Sequence, residues 1–487
     1  MAFLTQTMLG SLHLNPVDSP ASLSSTAPVW RATYDTTSAV ALDVGETKSS
    51  IIFDIATDAF NNVYSVGTAR YGANSFNTIT KQDSAGQVEW QTFIPAAGSS
   101  FAYLAVDAFG NAWVLATDAR KRLGSETFEI VSSTLHKFDA LGNAVATISI
   151  SLYMNNTYAG AARFQANGIT LDPVTGDVYV YGVQYDAASF ILRISNDGTL
   201  LAQHAYSQLK SNFIRSLALD SSGNMYVTTM SSDISSYDNS KQPGGIVVLK
   251  LNTSGVVIWQ TVVNLQLGIS NSANTAVTSS LLIDAFGNLY VMGGNTTTSN
   301  FSTPALAKLS PQGSIVWARK FSDKPATFNG GAVAMSFDES GDILVHCIVR
   351  RGFIGQTITS ISPNGKFNWK KLLTAPGRDL VFTKLAFSAD GAILLPGAYT
   401  TQTMPSGLVV KINIKNSTAT QFDEVTDLNI VNDAYSLVPH TAQAIVGVSI
   451  AKSTGTSNPP YFYQFRLATS SPATLSSTDT EYTVTLV

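Results

Sequence analysis

The stretch LLIDAFGNLYVMGG at residues 281–294 recurs along the chain in several variants. Three of them are YLAVDAFGNAWVLAT from Tyr103, SLALDSSGNMYVTTM from Ser216 and AMSFDESGDILVHC from Ala334. Apolar residues recur with a period of two on both sides of a short Asp-x-x-Gly segment, which is typical of half-buried strands. The Asp accepts backbone N–H groups at the start of a turn, and the Gly supplies a positive φ angle. The repeat therefore predicts a β-hairpin that is used many times.

A second hairpin signal follows each copy. About 20 residues beyond the Asp comes Lys-x-Asp/Asn/Ser-x-x-Gly or a close variant, often followed by a tryptophan. The copies of the first signal begin, at spacings of roughly 48 to 65 residues, at Asp58, Asp107, Asp172, Asp220, Asp284, Asp338 and, in degraded form, Ser388. The tryptophans of the second signal are Trp90, Trp259, Trp317 and Trp369. Two hairpins per unit predict a four-stranded antiparallel sheet whose Trp packs between neighbouring sheets, which is the pattern of a β-propeller blade.

The combined pattern D-x-x-G-N-x-Y-V-x-G … K-L-x-x-x-G-x-x-x-W resembles the bacterial β-propeller repeat family called SBBP and, more loosely, the NHL and PQQ-type propellers. The resemblance covers roughly residues 50–450. It implies the propeller fold and says little about function, because propellers host many unrelated activities.

We expect an all-β chain with a single propeller of about eight four-stranded blades. Seven is the alternative if a faint unit at residues 429–450 is not a blade. The last unit, near 424–487, has no Trp-bearing fourth strand, whereas APVWRATY around Trp30 resembles SIVWARKF around Trp317. The strand around Trp30 is therefore predicted to complete the last blade, which closes the ring and removes exposed edges. The predicted divisions are an N-terminal arm 1–27, the propeller 28–466 and a C-terminal tail or final strand 467–487.

Composition narrows the possible partners. Charged residues make up 13% of the chain, about half the usual share, and the net charge is −4. This balance gives no reason to expect binding to nucleic acid or to an anionic membrane. The first residues contain no Lys or Arg before Arg31 and no long apolar run, so they predict no secretory signal. No apolar stretch is long enough to predict a membrane span.

The sequence predicts no catalytic, cofactor-binding or metal-binding residues, and no cofactor. Each Asp turn offers too few oxygen ligands for a calcium site, so a turn-forming role is favoured. SPNGKFNW at Ser362 departs by one spacer residue from the Asp-box of sialidases. Cys347, the single cysteine, lies in the apolar run ILVHCIV and is interpreted as a core residue. The histidines are scattered without the spacing of metal ligands: His13, His136, His204, His346 and His440.

The leading functional hypothesis is a non-enzymatic structural or interaction protein of a large assembly. The assembly we favour is a bacteriophage virion, assembled in the host cytoplasm, with this chain as a homo-oligomeric, nozzle-like or hub-like ring subunit of the tail or baseplate. Its partners would be other virion proteins. The alternative is an extracellular or cell-surface module that binds a carbohydrate or protein receptor through long loops such as those from Thr229 and Gly293. An enzyme with a site in the central channel is the third hypothesis.

Overall fold

In the computed structural model, every regular element of the described residues is a β-strand. No helix among these residues is long and apolar enough to span a membrane. The residues described are 30–33, 48–71, 74–96, 99–121, 128–150, 164–172, 174–184, 188–206, 214–230, 246–264, 277–295, 305–322, 329–350, 354–374, 379–382, 384–387, 393–400, 405–412, 420–423, 428–432, 436–439, 443–452, 461–466 and 482–483. The predicted arm 1–27 lies outside them.

The chain forms a single β-propeller with six four-stranded blades in which strand order follows the chain. The N-terminal strand β1 (Trp30–Thr33) precedes them. Blade 1 consists of β2 (Lys48–Thr57), β3 (Val63–Tyr71), β4 (Asn74–Gln82) and β5 (Val88–Ala96). Blade 2 consists of β6 (Ser99–Val106), β7 (Ala112–Lys121), β8 (Phe128–Phe138) and β9 (Ala144–Ser149). Blade 3 consists of β10 (Phe164–Leu171), β11 (Val178–Gln184), β12 (Ala188–Ile194) and β13 (Leu200–Tyr206).

The next three blades repeat the same order. Blade 4 consists of β14 (Ser216–Leu219), β15 (Met225–Met230), β16 (Ile246–Leu251) and β17 (Val257–Asn264). Blade 5 consists of β18 (Val277–Ile283), β19 (Leu289–Asn295), β20 (Ala305–Leu309) and β21 (Ile315–Ser322). Blade 6 consists of β22 (Asn329–Phe337), β23 (Ile343–Arg350), β24 (Ile354–Ile361) and β25 (Phe367–Thr374). The repeat of two hairpins per sheet thus folds as the sequence predicts.

A further sheet, called sheet 7 below, follows blade 6. In it β26 (Asp379–Phe382) and β27 (Ala386–Phe387) both pair with β28 (Ile393–Thr400), which pairs with β29 (Pro405–Ile412). The N-terminal strand β1 pairs antiparallel with β29. The sequence analysis placed this strand beside a unit near 424–487, and that placement is wrong. Strand β29 ends in Lys411 and Ile412, which match the Lys-Leu pair at the end of the third strands of blades 4 and 5, so sheet 7 is the unit that β1 extends.

The segment after sheet 7 does not form an eighth blade in the described residues. Its strands are β30 (Thr420–Asp423), β31 (Leu428–Asn432), β32 (Ser436–Pro439), β33 (Gln443–Lys452), β34 (Tyr461–Arg466) and β35 (Tyr482–Thr483). β31 pairs with β25, β32 with β21 and β33 with β17, which are the outer strands of blades 6, 5 and 4. This segment has lost the Asp-Gly turn that folds a unit onto itself, whereas outer strands offer unpaired backbone groups.

The hydrophobic core lies between the faces of neighbouring blades. Strand β11 illustrates the arrangement, because successive side chains of a strand point to opposite faces of its sheet. Val178 and Val180 pack with Trp113 of blade 2. Tyr179, between them in sequence, packs with Val227 of blade 4. Both faces of β11 are therefore buried, which explains its apolar run VYVYGV.

Candidate interaction surface

In blades 1, 2, 4 and 5, the hairpins between the first and second strands share one hydrogen-bonded turn. In blade 5, Asp284 Oδ1 accepts the backbone N–H groups of Phe286 and Asn288 at 2.9 and 2.8 Å. Asp284 Oδ2 accepts the side-chain amide of Asn288 at 2.8 Å. The turns at Asp58, Asp107 and Asp220 contain the same three bonds. The Asp side chains thus bind their own backbone, as the turn-forming interpretation predicts.

In blades 1, 4 and 5, a tyrosine and a lysine side chain cover this turn from inside the blade. In blade 4, Tyr226 Oη donates to Asp220 Oδ2 at 3.2 Å. Lys250 Nζ lies 5.0 Å from the centre of the Tyr226 ring. Burial, with the neighbouring Asp220 carboxylate, raises the pKa of the Tyr226 phenol far above its ordinary value. The repeated Tyr and Lys therefore stabilise the blade, and the phenol stays protonated near neutral pH.

Three of the repeated tryptophans join their own blade to the next one. Trp90 Nε1 donates to the carbonyl oxygen of Ala140 at 3.1 Å, and Ala140 lies in the second hairpin of blade 2. Trp259 and Trp317 make the corresponding bonds, at 3.2 and 3.1 Å, to Pro311 and Pro363 in the following blades. The prediction that the Trp packs between neighbouring sheets is confirmed for these three blades.

Replacing Tyr226 by Phe is expected to lower the free energy of unfolding by about 1–2 kcal/mol, because it removes a hydrogen bond to a carboxylate and keeps the ring. The matched control is Tyr206→Phe, which removes a bond to a neutral acceptor, the carbonyl oxygen of Gly255 at 3.0 Å. Urea unfolding of both variants tests this. A loss at Tyr226 that is smaller than the loss at Tyr206 contradicts the assigned role of the Asp220 carboxylate.

The single cysteine and a neighbouring histidine are buried in blade 6. Burial raises the pKa of the Cys347 thiol to about 12, although Lys370 opposes the shift, so the reactive thiolate is disfavoured. His346 Nε2 lies 2.7 Å from Gln356 Oε1. Burial lowers the pKa of His346 to about 4, so the ring is neutral at pH 7. The interpretation of Cys347 as a core residue is confirmed.

The other described histidines take different places. His204 of blade 3 lies against Gly255 of blade 4, where a tryptophan stands in other blades, and burial lowers its pKa. His136 Nδ1 lies 3.3 Å from Thr147 Oγ1 within blade 2. Among the residues that the structure describes, no group of three or more His, Cys, Asp or Glu side chains is placed to hold a metal ion. His13 and His440 lie outside the described residues.

The innermost strands meet at Asp54, a residue that no motif singled out. Asp54 Oδ1 accepts the backbone N–H of Ile55 at 2.7 Å and forms an ion pair with Lys384 of sheet 7. Asp54 Oδ2 accepts the backbone N–H of Leu104 in blade 2 at 3.0 Å. Burial, with the Asp54 charge, raises the pKa of Tyr103 to about 12. This buried carboxylate thus connects blade 1 to its neighbours on both sides.

The ends of several turns carry large apolar side chains that face solvent. In blades 4 and 6 the residue two positions after the Asp is Ser222 or Ser340, and its N–H makes the usual bond to the Asp at 3.0 or 2.8 Å. The fold therefore does not require an apolar residue there. Exposed apolar residues at this position of the hairpins, with their exposed fractions, are Phe60 (71%), Phe109 (68%), Leu141 (79%), Val174 (70%) and Phe286 (85%).

Three of these side chains stand on neighbouring turns. A Cβ at Gly110 would lie 3.2 Å from Asp58 Oδ2 and 3.3 Å from the Cβ of Ala140. The turn 107–111 therefore lies next to both the turn 58–62 and the turn 139–143. We call Phe60, Phe109 and Leu141, which these turns carry, the apolar arc. Because strands alternate in direction, the hairpins between the first and second strands and between the third and fourth strands emerge at one end of a blade, and those between the second and third strands at the other.

Comparisons with known proteins bear on the fold alone. No family model and no curated protein matches the chain. A solved protein of unknown function from Dyadobacter fermentans is 9% identical over 76% of this chain and 95% of its own, with a TM-score of 0.42. The WD40 domain of Neurospora crassa Pan2 is 11% identical over 77% and 91%, with a TM-score of 0.40. A neuraminidase-like protein from A/bat/Guatemala/164/2009 is 12% identical over 63% and 87%, with a TM-score of 0.38. The assignment of the fold rests on the strand order and register given above.

Proposed function

We propose that this chain is a non-enzymatic interaction protein of a large assembly, and that the apolar arc is one of its docking surfaces. The arc carries the proposal because the fold tolerates serine at the corresponding turn position. Exposed apolar side chains grouped on neighbouring turns are typical of interaction sites, and aromatic anchors dominate the energetics of such sites. The turn hydrogen bonds hold the backbone of the arc in place before a partner binds, which lowers the entropic cost of association.

The assembly that we propose is a bacteriophage virion, with this chain as a tail or baseplate subunit that acts together with copies of itself and other virion proteins. Two features support it: the share of charged residues is low, at 13%, and the aspartates of four of the blade turns are engaged in binding their own backbone. A particle component needs many neutral contact surfaces and no reactive centre. The geometry of the turns accounts for the repeat without any chemistry.

Density-gradient sedimentation of the untreated native source tests this proposal, with the chain followed by mass spectrometry. We expect the chain to sediment with a multi-megadalton particle whose other proteins identify its neighbours. Recovery only as a free species near its own mass of 51.8 kDa would overturn the assembly proposal. Tight and selective binding on a glycan array, in that case, would favour the receptor-binding alternative.

We also propose that sheet 7 is the seventh blade and that β1 closes the ring as its fourth strand. The register supports this, because Trp30 stands opposite Lys411. The same Trp–Lys pairing occurs between outer and third strands at Trp90 and Lys81, Trp259 and Lys250, and Trp317 and Lys308. The repeats themselves we assign to the SBBP kind, since each residue of its pattern has a defined place in these blades.

Removing residues 1–33 is expected to lower the free energy of unfolding by about 2 kcal/mol, because the four paired residues of β1 are lost from the edge of sheet 7. Removing residues 1–27 alone leaves β1 in place and is the matched control. Thermal unfolding of the two truncated chains tests the closure. Equal unfolding midpoints for the two would contradict it.

A further inference from the structure

We propose that the apolar arc binds a protein partner whose contact surface is an apolar pocket or segment flanked by lysine or arginine side chains. The inference rests on the proposed function and names the chemistry of the partner. It follows from the charged side chains that surround the arc, and from the hydrogen bonds that the carboxylates among them already accept from their own turns.

Each apolar side chain of the arc follows a carboxylate by two positions. The backbone N–H groups of Phe60, Phe109 and Leu141 donate to the Oδ1 atoms of Asp58, Asp107 and Asp139, each at 2.9 Å. Hydrogen bonds from the side chain and backbone of Asn143 hold the pKa of Asp139 below its usual value. A negative charge is thus fixed beside each apolar side chain.

Two lysines, Lys81 and Lys137, lie close to these turns. Lys81 Nζ pairs with Glu89 Oε2 at 2.8 Å and donates to the carbonyl oxygen of Ala140 at 3.1 Å. Lys137 Nζ donates to the carbonyl oxygen of Asn196 at 2.7 Å and lies 5.1 Å from the centre of the Trp113 ring. These two lysines stand against the carboxylates of Asp58, Asp107, Asp139 and Glu89, so the arc keeps a net negative charge, and a cationic partner is attracted to it.

The same geometry disfavours a glycan. A carboxylate has about four lone-pair positions, and Asp107 already uses three, for the backbone N–H groups of Phe109 and Asn111 and the side-chain amide of Asn111. Little acceptor capacity remains for sugar hydroxyls, whereas the charge still acts over several ångströms. Phosphate-bearing surfaces such as nucleic acid and anionic lipid are repelled by the same carboxylates.

The test uses a random peptide library displayed on ribosomes and selected against the full-length protein. The arc is removed in the triple variant Phe60→Ser, Phe109→Ser, Leu141→Ser, which repeats the serine that blades 4 and 6 carry at this turn position. Phe286→Ser, which removes an exposed phenylalanine outside the arc, is the matched control. Equal thermal unfolding midpoints show that the variants are folded, and the single variant Phe109→Ser serves if the triple variant is not.

We expect the selected peptides to carry apolar side chains flanked by Lys or Arg. Their affinity should fall at least tenfold in the triple variant, stay unchanged in the control, and weaken as salt is raised. Neutral or acidic peptides, equal affinity for the triple variant, or failure to select any arc-dependent peptide would overturn the inference. So would arc-dependent binding to a glycan array or to phosphatidylserine vesicles. Sedimentation of the native source does not involve these peptides, so the two proposals can fail separately.

Discussion

Replacing Gly142 by Ala is expected to lower the free energy of unfolding by about 2–5 kcal/mol, more than any surface substitution in the same turn. Gly142 has a φ angle of +87°, and a Cβ at this position would lie 2.7 Å from Trp90 Cδ2. The left-handed backbone costs an L-residue about 1–2 kcal/mol. Forcing an extra carbon against a packed ring costs about 1–3 kcal/mol more.

The ring of Trp90 is held on two sides, which is why it cannot give way cheaply. Its Nε1 donates to the carbonyl oxygen of Ala140, two residues before the glycine. Tyr64 contacts it edge to face, with 6.0 Å between the ring centres. Moving the ring to admit a Cβ at Gly142 would therefore disturb the junction between blades 1 and 2.

The variant Gly341→Ala separates the cost of the left-handed backbone from the cost of crowding a neighbouring ring. Gly341 has a φ angle of +80°, and a Cβ there would meet no atom within 4 Å. We expect its replacement to cost only the conformational part, about 1–2 kcal/mol. Urea unfolding of both variants measures the difference. Equal losses at the two positions would show that the Trp90 ring makes room for the added carbon at little cost.

The blades were predictable from the sequence because their signals are local. The alternation of apolar and polar residues, the Asp turn and the hairpin glycine act within about ten residues, and each signal recurs in several units of the chain. Even the contact of Trp259 with the next blade follows from a tryptophan that recurs at one position of the repeat. The pairing of strands β31, β32 and β33 was not predictable, because their partners lie in blades far away in sequence and no turn signal accompanies them.

The sequence analysis did not identify the apolar arc, because an Ala-Phe pair inside a turn carries no recognised functional signal. Comparing one position across the copies reveals a signal, since the residue two after the Asp is sometimes Phe109 or its equivalents and sometimes Ser222 or Ser340. The contribution of Leu141 could not be found in this way. It belongs to the second hairpin of blade 2, and only the contact between neighbouring turns places it beside the first.

Replacing Asp54 by Ala is expected to lower the free energy of unfolding by about 2–4 kcal/mol. The substitution leaves the N–H of Leu104 without its acceptor, and an unsatisfied buried donor costs about 1–3 kcal/mol. It also removes the partner of Lys384. Breaking a buried ion pair costs about 3–5 kcal/mol, but the Lys384 side chain is 42% exposed and regains water, so the expected total is lower.

A double-mutant cycle with Lys384→Met isolates the ion pair from the hydrogen bond to blade 2. In the native background Lys384→Met leaves the buried Asp54 carboxylate without its cationic partner, so we expect a clear loss of stability. In the Asp54→Ala background it should cost almost nothing, because no carboxylate remains to be neutralised. Purely additive losses would show that the two residues do not interact energetically. A coupling energy, by contrast, measures how strongly blade 1 is tied to sheet 7 through the innermost strands, independently of the pairing of β1 at the outer edge.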